Sequence, residues 1–203
     1  MYDYDTLTGA KSVEGSIRWW GNHTKIPATQ VLYEAEAYIY SQIRVRQMRA
    51  AETLALLTGD SGIPFPSDYQ ALIELKIFGD ANPLPFVHEN LLNRFRDDNG
   101  VLTEGRPNRF ADIANEISFD CRADADYNMR LWYYATPASL STLNPTNWLT
   151  IGYPTLLRYV CTAFAFQDRK RHSEALDYFK LAQIEIDNAN SGDDLARNTQ
   201  ILR

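Results

Sequence analysis

The sequence has few of the residues that build metal, disulfide or nucleophilic sites. Its two cysteines, Cys121 and Cys161, are far apart and form no CxxC pair, so we expect a reduced, intracellular protein without a zinc site. The three histidines fit no HExxH spacing, and GxSxG, GxGxxG and P-loop motifs are absent. These absences predict no cofactor, no metal and no enzyme activity.

An excess of positive charge and a long apolar run are also absent. The formal net charge is -6 and the isoelectric point is about 5.1. Direct DNA recognition favours a basic surface, although an acidic protein can surround DNA without adhering to it. No apolar segment has the length of about 20 residues that spans a membrane, and the first residues, MYDYDTLTGAK, do not resemble a signal peptide.

One long amphipathic segment dominates the chain, and it predicts a helix over residues 27–49. Pro27 suits a first helical turn, and no glycine or proline follows for over twenty residues. At about 1.5 Å per residue the helix would be roughly 35 Å long. Gln42 and Arg46 interrupt its apolar face. Arg46 either extends to the edge of that face or pairs with an acidic group, inside the fold or on a neighbouring subunit.

The rest of the chain predicts an α+β fold: mainly a helical bundle around the long helix, with a small antiparallel β region and an extended C-terminal arm. Further helices are expected at about 5–20, 153–167 and 173–189, and a β-rich insert at about 53–135. The inward positions of the last helix are expected to be Leu176, Phe179, Ala182, Ile186 or their neighbours. Within the insert, Ala114-Asn115 forms a tight turn between two strands of a three- or four-stranded meander. Adjacent Trp19 and Trp20 cannot both face one core, so one of them is expected to contact another element or subunit.

Two segments have alternative interpretations. The sequence around Asp120, Asp124 and Asp126 predicts a solvated loop. The less favoured alternative is that these carboxylates bind a divalent cation in an uncharacterised hydrolase. Residues 190–203 are polar apart from Leu195, Ile201 and Leu202, so they form either a frayed tail or an arm that a partner orders. The last predicted helix superficially resembles a tetratricopeptide helix, and a small peptide-binding module is the alternative function, but no second copy of the repeat is found.

Several motifs in order resemble the head-to-tail adaptor (connector) proteins of tailed bacteriophages. The long helix with Ala35-Glu36-Ala37 and Gln42-Ile43-Arg44-Val45-Arg46-Gln47-Met48 is similar to that family's long helix and its Leu-Arg-x-Arg-x-Met-like ending. The other matching motifs are Phe65-Pro66-Ser67-Asp68-Tyr69, the Tyr-rich Leu131-Trp132-Tyr133-Tyr134, Asn147-Trp148-Leu149 and Tyr153-Pro154-Thr155-Leu156-Leu157. Departures occur at Ile43, Arg49, Phe65 and Thr155. The resemblance spans about residues 5–188.

The resemblance implies a structural virion protein of the neck, assembled in the host cytoplasm. It would form a ring of about twelve copies under the portal protein, join the portal to a tail or nozzle protein, and let DNA pass without specific binding. In this reading residues 1–189 are the adaptor domain and residues 190–203 are a portal-binding arm with Leu195, Arg197, Ile201, Leu202 and Arg203. Inter-subunit contacts are expected at Gln42, Arg46, Trp19 and Trp20. Tail-facing loops are expected at Asp98, Asn99, Arg106, Asp124 and Asp126.

Overall fold

A computed structural model describes residues 2–92 and 102–201 of the chain, and their side chains as far as Gly192. The chain divides into two compact units. The helical unit comprises Met1–Gln47 and Pro137–Arg203, and the β unit comprises Met48–Thr136. Asp98 and Asn99 lie outside the described residues.

The secondary structure follows this division. The described helices are α1 (Tyr4–Thr8), α2 (Ile17–Trp20), α3 (Ala28–Gln42), α4 (Glu89–Leu92), α5 (Trp148–Gly152), α6 (Pro154–Asp168) and α7 (His172–Ile201). The described strands are β1 (Arg49–Leu56), β2 (Gly62–Pro64), β3 (Tyr69–Ile77), β4 (Glu104–Gly105), β5 (Phe110–Ile113), β6 (Glu116–Phe119), β7 (Arg122–Ala123) and β8 (Tyr127–Ala135). The chain is therefore a mixed α+β protein. No helix in the described part of the chain is both long and apolar enough to cross a membrane.

Helix α3 is shorter than the sequence predicts. It ends at Gln42, and Ile43 has the extended dihedral angles φ -99° and ψ 141°. Arg46–Met48 then forms one 3₁₀ turn before β1 begins. Ile43 and Val45 are fully buried in these non-helical conformations, so tertiary packing outweighs the helical pattern of the segment. At 15 residues the helix is about 22 Å long.

The predicted helix at 5–20 is in fact two short helices, α1 and α2. Residues 9–16 separate them. Within this link Gly15 has a φ of +87°, a left-handed conformation that glycine adopts without steric cost. Ser16 then caps α2, because its side chain accepts a hydrogen bond from the Trp19 backbone N–H.

The core of the helical unit lies between α3, α6 and α7. Three rings from these helices, Tyr38, Phe164 and Phe179, contact one another with centroid distances of 5.3–6.1 Å. Ala175, Ala182 and Ile186 bury the inner face of α7. This agrees with the predicted inner face, which included the neighbours of Leu176. Ala175 is buried, whereas Leu176 itself is largely exposed.

Helix α7 continues where the sequence predicts an extended arm. The backbone is helical through Ile201. Residues 190–201 contain no proline, and extending an existing helix avoids the cost of nucleating a new one. The sequence of residues 190–203 has few apolar side chains, which is why it predicts a loose arm. Such a sequence can nevertheless be helical when it extends a helix whose earlier turns are packed, as α7 is.

The β unit contains three small sheets instead of a meander. Strand β8 is central in the first sheet, with order β1-β8-β3, and it pairs antiparallel with both neighbours. The second sheet has the order β2-β6-β5, and β4 and β7 form a short parallel pair. A buried cluster that includes Leu75, Phe110, Ile117, Phe119 and Leu131 forms the core. The neighbours of β8 in the sheet, β1 and β3, lie about 50 or more residues earlier in the chain. The alternation of apolar and polar residues within a strand does not indicate which strands pair with it.

The tight turn predicted at Ala114-Asn115 is present between β5 and β6. Both residues have positive φ, 52° and 65°, as the central positions of a type I′ hairpin turn require. Asn tolerates this conformation, whereas Ala adopts it at a steric cost.

Candidate interaction surfaces

A buried carboxylate anchors the helical unit from inside. Glu36 on α3 is 2% exposed and accepts hydrogen bonds from the Leu140 backbone N–H at 3.1 and 3.2 Å. The Tyr40 hydroxyl and the Asn147 Nδ2 also donate to its Oε1, at 3.1 and 3.3 Å. Asn147 caps α5, and its amide also donates to the Tyr40 hydroxyl at 2.9 Å. One carboxylate thus fixes the segment from Pro137 to Asn147 onto α3.

The electrostatics of this network are set by burial. Desolvation raises the pKa of Glu36, although the donors from Leu140, Tyr40 and Asn147 oppose this shift. Desolvation also raises the pKa of Tyr40, and the Glu36 charge raises it further. Burial and the same carboxylate raise the pKa of the Cys161 thiol on α6. The role of Glu36 is not evident from the sequence, since a helical wheel places it at the margin of the apolar face and two of its partners, Leu140 and Asn147, lie over 100 residues away.

Trp19 and Trp20 border an aromatic cleft in the helical unit. Trp19 is 46% exposed, and the Trp20 ring meets the Tyr2 ring edge-on at 5.1 Å. The cleft has a volume of about 440 Å³, and its other walls are Arg158, Tyr159, Thr162 and Tyr178. Tryptophan, tyrosine and arginine are the residues that most often dominate binding energy at protein interfaces. We name this surface the aromatic cleft.

Gln42 and Arg46 lie elsewhere on the helical unit, and both are exposed. Arg46 does not lie on the apolar face of a long helix, because α3 has ended before it. It lines a polar cleft of about 370 Å³ with Tyr153, Glu185 and Asn188. The Gln42 carbonyl accepts a hydrogen bond from the Asn190 side chain at 3.2 Å, which fastens α7 to the end of α3.

The structure brings Arg106, Asp124 and Asp126 to the turns at one end of the first sheet. The Nη2 of Arg106 donates to both carboxylate oxygens of Asp80 at 2.6 Å. This hydrogen bond and the charge of Asp80 raise the pKa of the guanidinium, and the charge of Asp124 adds a smaller contribution. Asp126 accepts from the backbone N–H and hydroxyl of Thr58, which lowers its pKa. We call this group the charged turns.

The three aspartates proposed as a remote metal-binding alternative have separate partners. Asp124 accepts from the Tyr127 hydroxyl at 2.6 Å, and Asp126 binds Thr58. Asp120 is buried and accepts from the backbone N–H groups of Asn108 and Arg109. Among the side chains that the structure describes, in residues 2–92 and 102–192, no group of three or more His, Cys, Asp or Glu could hold a metal ion.

These features define an α+β protein with an aromatic cleft in its helical unit and a set of charged turns in its β unit. A family model described as SU10 adaptor protein matches residues 9–201. The chain belongs to this family of phage head-to-tail adaptors, whose members are structural proteins that bind portal or tail components. A comparison with curated proteins found no match.

Proposed function

We propose that the protein forms a ring of about a dozen copies beneath the portal, connects the portal to the tail, and continues the DNA channel. The observation that carries this proposal is the family match over nearly the whole chain. The location follows from the function: the neck of the virion, between capsid and tail.

The two units differ in charge in a way that suits a DNA conduit. Residues 48–136 contain 8 Lys and Arg against 14 Asp and Glu, whereas the remaining residues contain 12 of each sign. The net charge of -6 therefore belongs to the β unit alone. An acidic wall repels phosphates, so DNA would pass it without binding. The neutral helical unit is the part in which identical copies can approach each other with the least repulsion.

Each surface has a role in this proposal. The aromatic cleft, with Trp19 and Trp20, and the exposed Gln42 and Arg46 contact neighbouring subunits. The charged turns, with Arg106, Asp124 and Asp126, face the tail. We also assign Asp98 and Asn99 to the tail side from their polar sequence context.

The C-terminal residues are assigned to the portal. In this proposal Leu195, Ile201 and Leu202 supply apolar contacts, and Arg197 and Arg203 supply cations. Burying three apolar side chains gives about 1.5–3 kcal/mol each before ordering costs. One copy alone would bind weakly, and the ring gains its hold because each bound copy raises the effective concentration of the next.

A truncation ending at Ser191 tests the proposal. It removes the C-terminal residues and keeps the helical unit that packs through Ala182, Ile186 and Ala189. The full-length protein should form rings on portal-bearing heads in negative-stain images, whereas the truncated protein should not bind them. Circular dichroism should show that the truncated chain retains the fold, with only the helix signal of the removed turns lost.

The control is a variant with Leu176→Ala and Ile184→Ala, two largely exposed positions on the outer face of α7 before the truncation point. This variant should bind heads as the wild type does. Binding by the truncated protein would overturn the role of the C-terminal residues. If full-length protein forms no ring on heads, the adaptor ring itself is wrong.

A further inference from the structure

We propose that the turn formed by Ser141–Asn144 contacts a second copy of this chain, with Leu143 as its apolar anchor. This inference rests on the proposed ring and names a contact that would hold it together. Leu143 is 96% exposed, more than any other large apolar side chain in the described part of the chain. An isolated exposed leucine needs no explanation by itself, but Leu143 lies in a turn whose backbone is held by several hydrogen bonds.

The turn is rigidly closed by its own hydrogen bonds. The Ser141 backbone N–H donates to the Asn144 carbonyl at 3.0 Å, and the Asn144 N–H donates back to the Ser141 carbonyl at 3.1 Å. The Asn144 amide also donates to the carbonyls of Ala138 and Ser139. These contacts fix the backbone on both sides of Leu143, so the side chain is presented at little further entropic cost on binding.

The base of the turn is fixed to the helical unit on both sides. Leu140, immediately before the turn, is buried, and its N–H binds Glu36. After the turn, the Pro145 carbonyl accepts from the Tyr4 N–H at 2.9 Å, and Asn147 joins the Glu36 network. A buried carboxylate is expensive to maintain. Here it immobilises a segment whose most prominent feature is an exposed leucine.

The distribution of charged residues along the chain indicates which kind of molecule contacts Leu143. Between Arg130 and Arg158 there are 27 consecutive residues without Asp, Glu, Lys, Arg or His, in a chain that is 23% charged. This stretch places Leu143 and the 60% exposed Ile151 on the surface of the helical unit. Depletion of charge is the compositional mark of an interface core.

A nucleic acid or an anionic membrane would select cations on this surface, and the stretch has none. Two copies that each carry a net charge of -6 meet with less repulsion through the neutral helical unit than through the acidic β unit. A second copy therefore fits the surface better than a strongly charged partner.

Site-specific photocrosslinking tests this contact. A photoreactive amino acid at Leu143, in full-length protein bound to portal-bearing heads, should give covalent multimers of this chain on illumination. The matched control places the same group at Leu57 in the β unit, which is 55% exposed, and should give few or no self-crosslinks. Crosslinks from position 143 to portal or tail protein, without self-crosslinks, would overturn the proposal.

A charge substitution gives an independent result. Leu143→Asp should lower the yield of rings on heads at least tenfold, while the monomer keeps its circular dichroism spectrum and melting temperature. The matched variant Leu176→Asp, at another largely exposed leucine of the helical unit, should form rings normally. Normal ring yield from Leu143→Asp refutes this contact but leaves the adaptor function intact. Absence of rings from the wild type would refute the proposed function itself.

Discussion

The carboxylate of Glu36 accepts a hydrogen bond from the backbone N–H of Leu140, although 104 residues separate the two in sequence. The oxygens of Glu36 accept hydrogen bonds from a backbone N–H, a phenol and an amide. This contact joins the first half of the helical unit to the segment that re-enters it after the β unit. It is the long-range connection on which the first two predictions rest.

Replacing Glu36 with alanine should lower the free energy of unfolding by about 2–4 kcal/mol, because buried donors lose their acceptor. Tyr40→Phe should cost less, about 1 kcal/mol, since Leu140 and Asn147 still bind the carboxylate. The control is Glu34→Ala, whose side chain accepts a surface hydrogen bond from Gln30; it should change stability by no more than about 0.5 kcal/mol. Urea titrations followed by circular dichroism measure all three. Equal losses from Glu36→Ala and Glu34→Ala would contradict the anchoring role.

The same carboxylate should give a distinctive pH dependence. Burial raises the pKa of Glu36 above its ordinary value of 4.5, so the folded state holds this proton more tightly than the unfolded state. The stability of the wild type relative to Glu36→Gln should therefore be greatest below pH 4.5 and fall as pH rises through the folded-state pKa of Glu36.

The contribution of Asp126 to stability should depend on pH in the opposite direction, because hydrogen bonds from Thr58 lower the pKa of Asp126. Its contribution relative to Asp126→Asn should be lost as pH falls below 3.8. A wild-type advantage over Glu36→Gln that grows with pH would contradict the raised pKa.

Ala114 should be a site where glycine stabilises the protein. Its φ of 52° is left-handed, which costs an L-residue about 1 kcal/mol, partly offset by the greater flexibility of glycine in the unfolded chain. Ala114→Gly should therefore raise the free energy of unfolding by up to about 1 kcal/mol. Ala125→Gly is the control, because Ala125 is exposed in a turn but does not have a positive φ. It should be neutral or destabilising, and an equal gain at both positions would show that the turn conformation is not the cause.

Local chemistry was enough to predict parts of this fold. The β5–β6 turn follows from two strand-like runs separated by two residues, and Pro154 at the start of α6 follows from the fixed φ of proline. The end of α3 could not be predicted in this way. Ile43 and Val45 continue the helical pattern, and burial in an extended conformation decides their structure.

Long-range contacts limited the prediction of the surfaces. The sequence indicated that adjacent tryptophans cannot share one core, and Trp19 is indeed half exposed. It did not indicate that Arg158, Tyr159 and Tyr178 would complete a cleft with them, since those residues lie on α6 and α7. Glu36 was missed because it depends on a partner over 100 residues away. Leu143 was missed for a different reason, because its exposure depends on the conformation of a local turn closed by hydrogen bonds between Ser141 and Asn144.

The final prediction concerns the charged turns of the β unit. A variant with Asp124→Asn and Asp126→Asn removes two exposed charges per subunit and keeps an oxygen that can accept the hydrogen bonds from Tyr127 and Thr58. The fold should therefore persist, while tail attachment should weaken. One exposed ion pair contributes only about 0–1 kcal/mol, but the loss repeats in every subunit of the ring. The fraction of heads that acquire tails should fall for this variant. Added salt should weaken tail attachment of the wild type more than that of the variant, because the wild type retains the two charges that salt screens.

The matched control is Asp177→Asn with Asp187→Asn, which makes the same change in charge on exposed positions of α7. It should leave tail attachment unchanged. Portal binding, measured by co-sedimentation with heads, should be normal for both variants, because the charged turns face away from the portal in the proposed arrangement. The opposite result would be a variant that binds heads poorly but whose head-bound rings acquire tails as often as wild-type rings do. In that case the charged turns face the portal, and the orientation of the ring is the reverse of the one proposed.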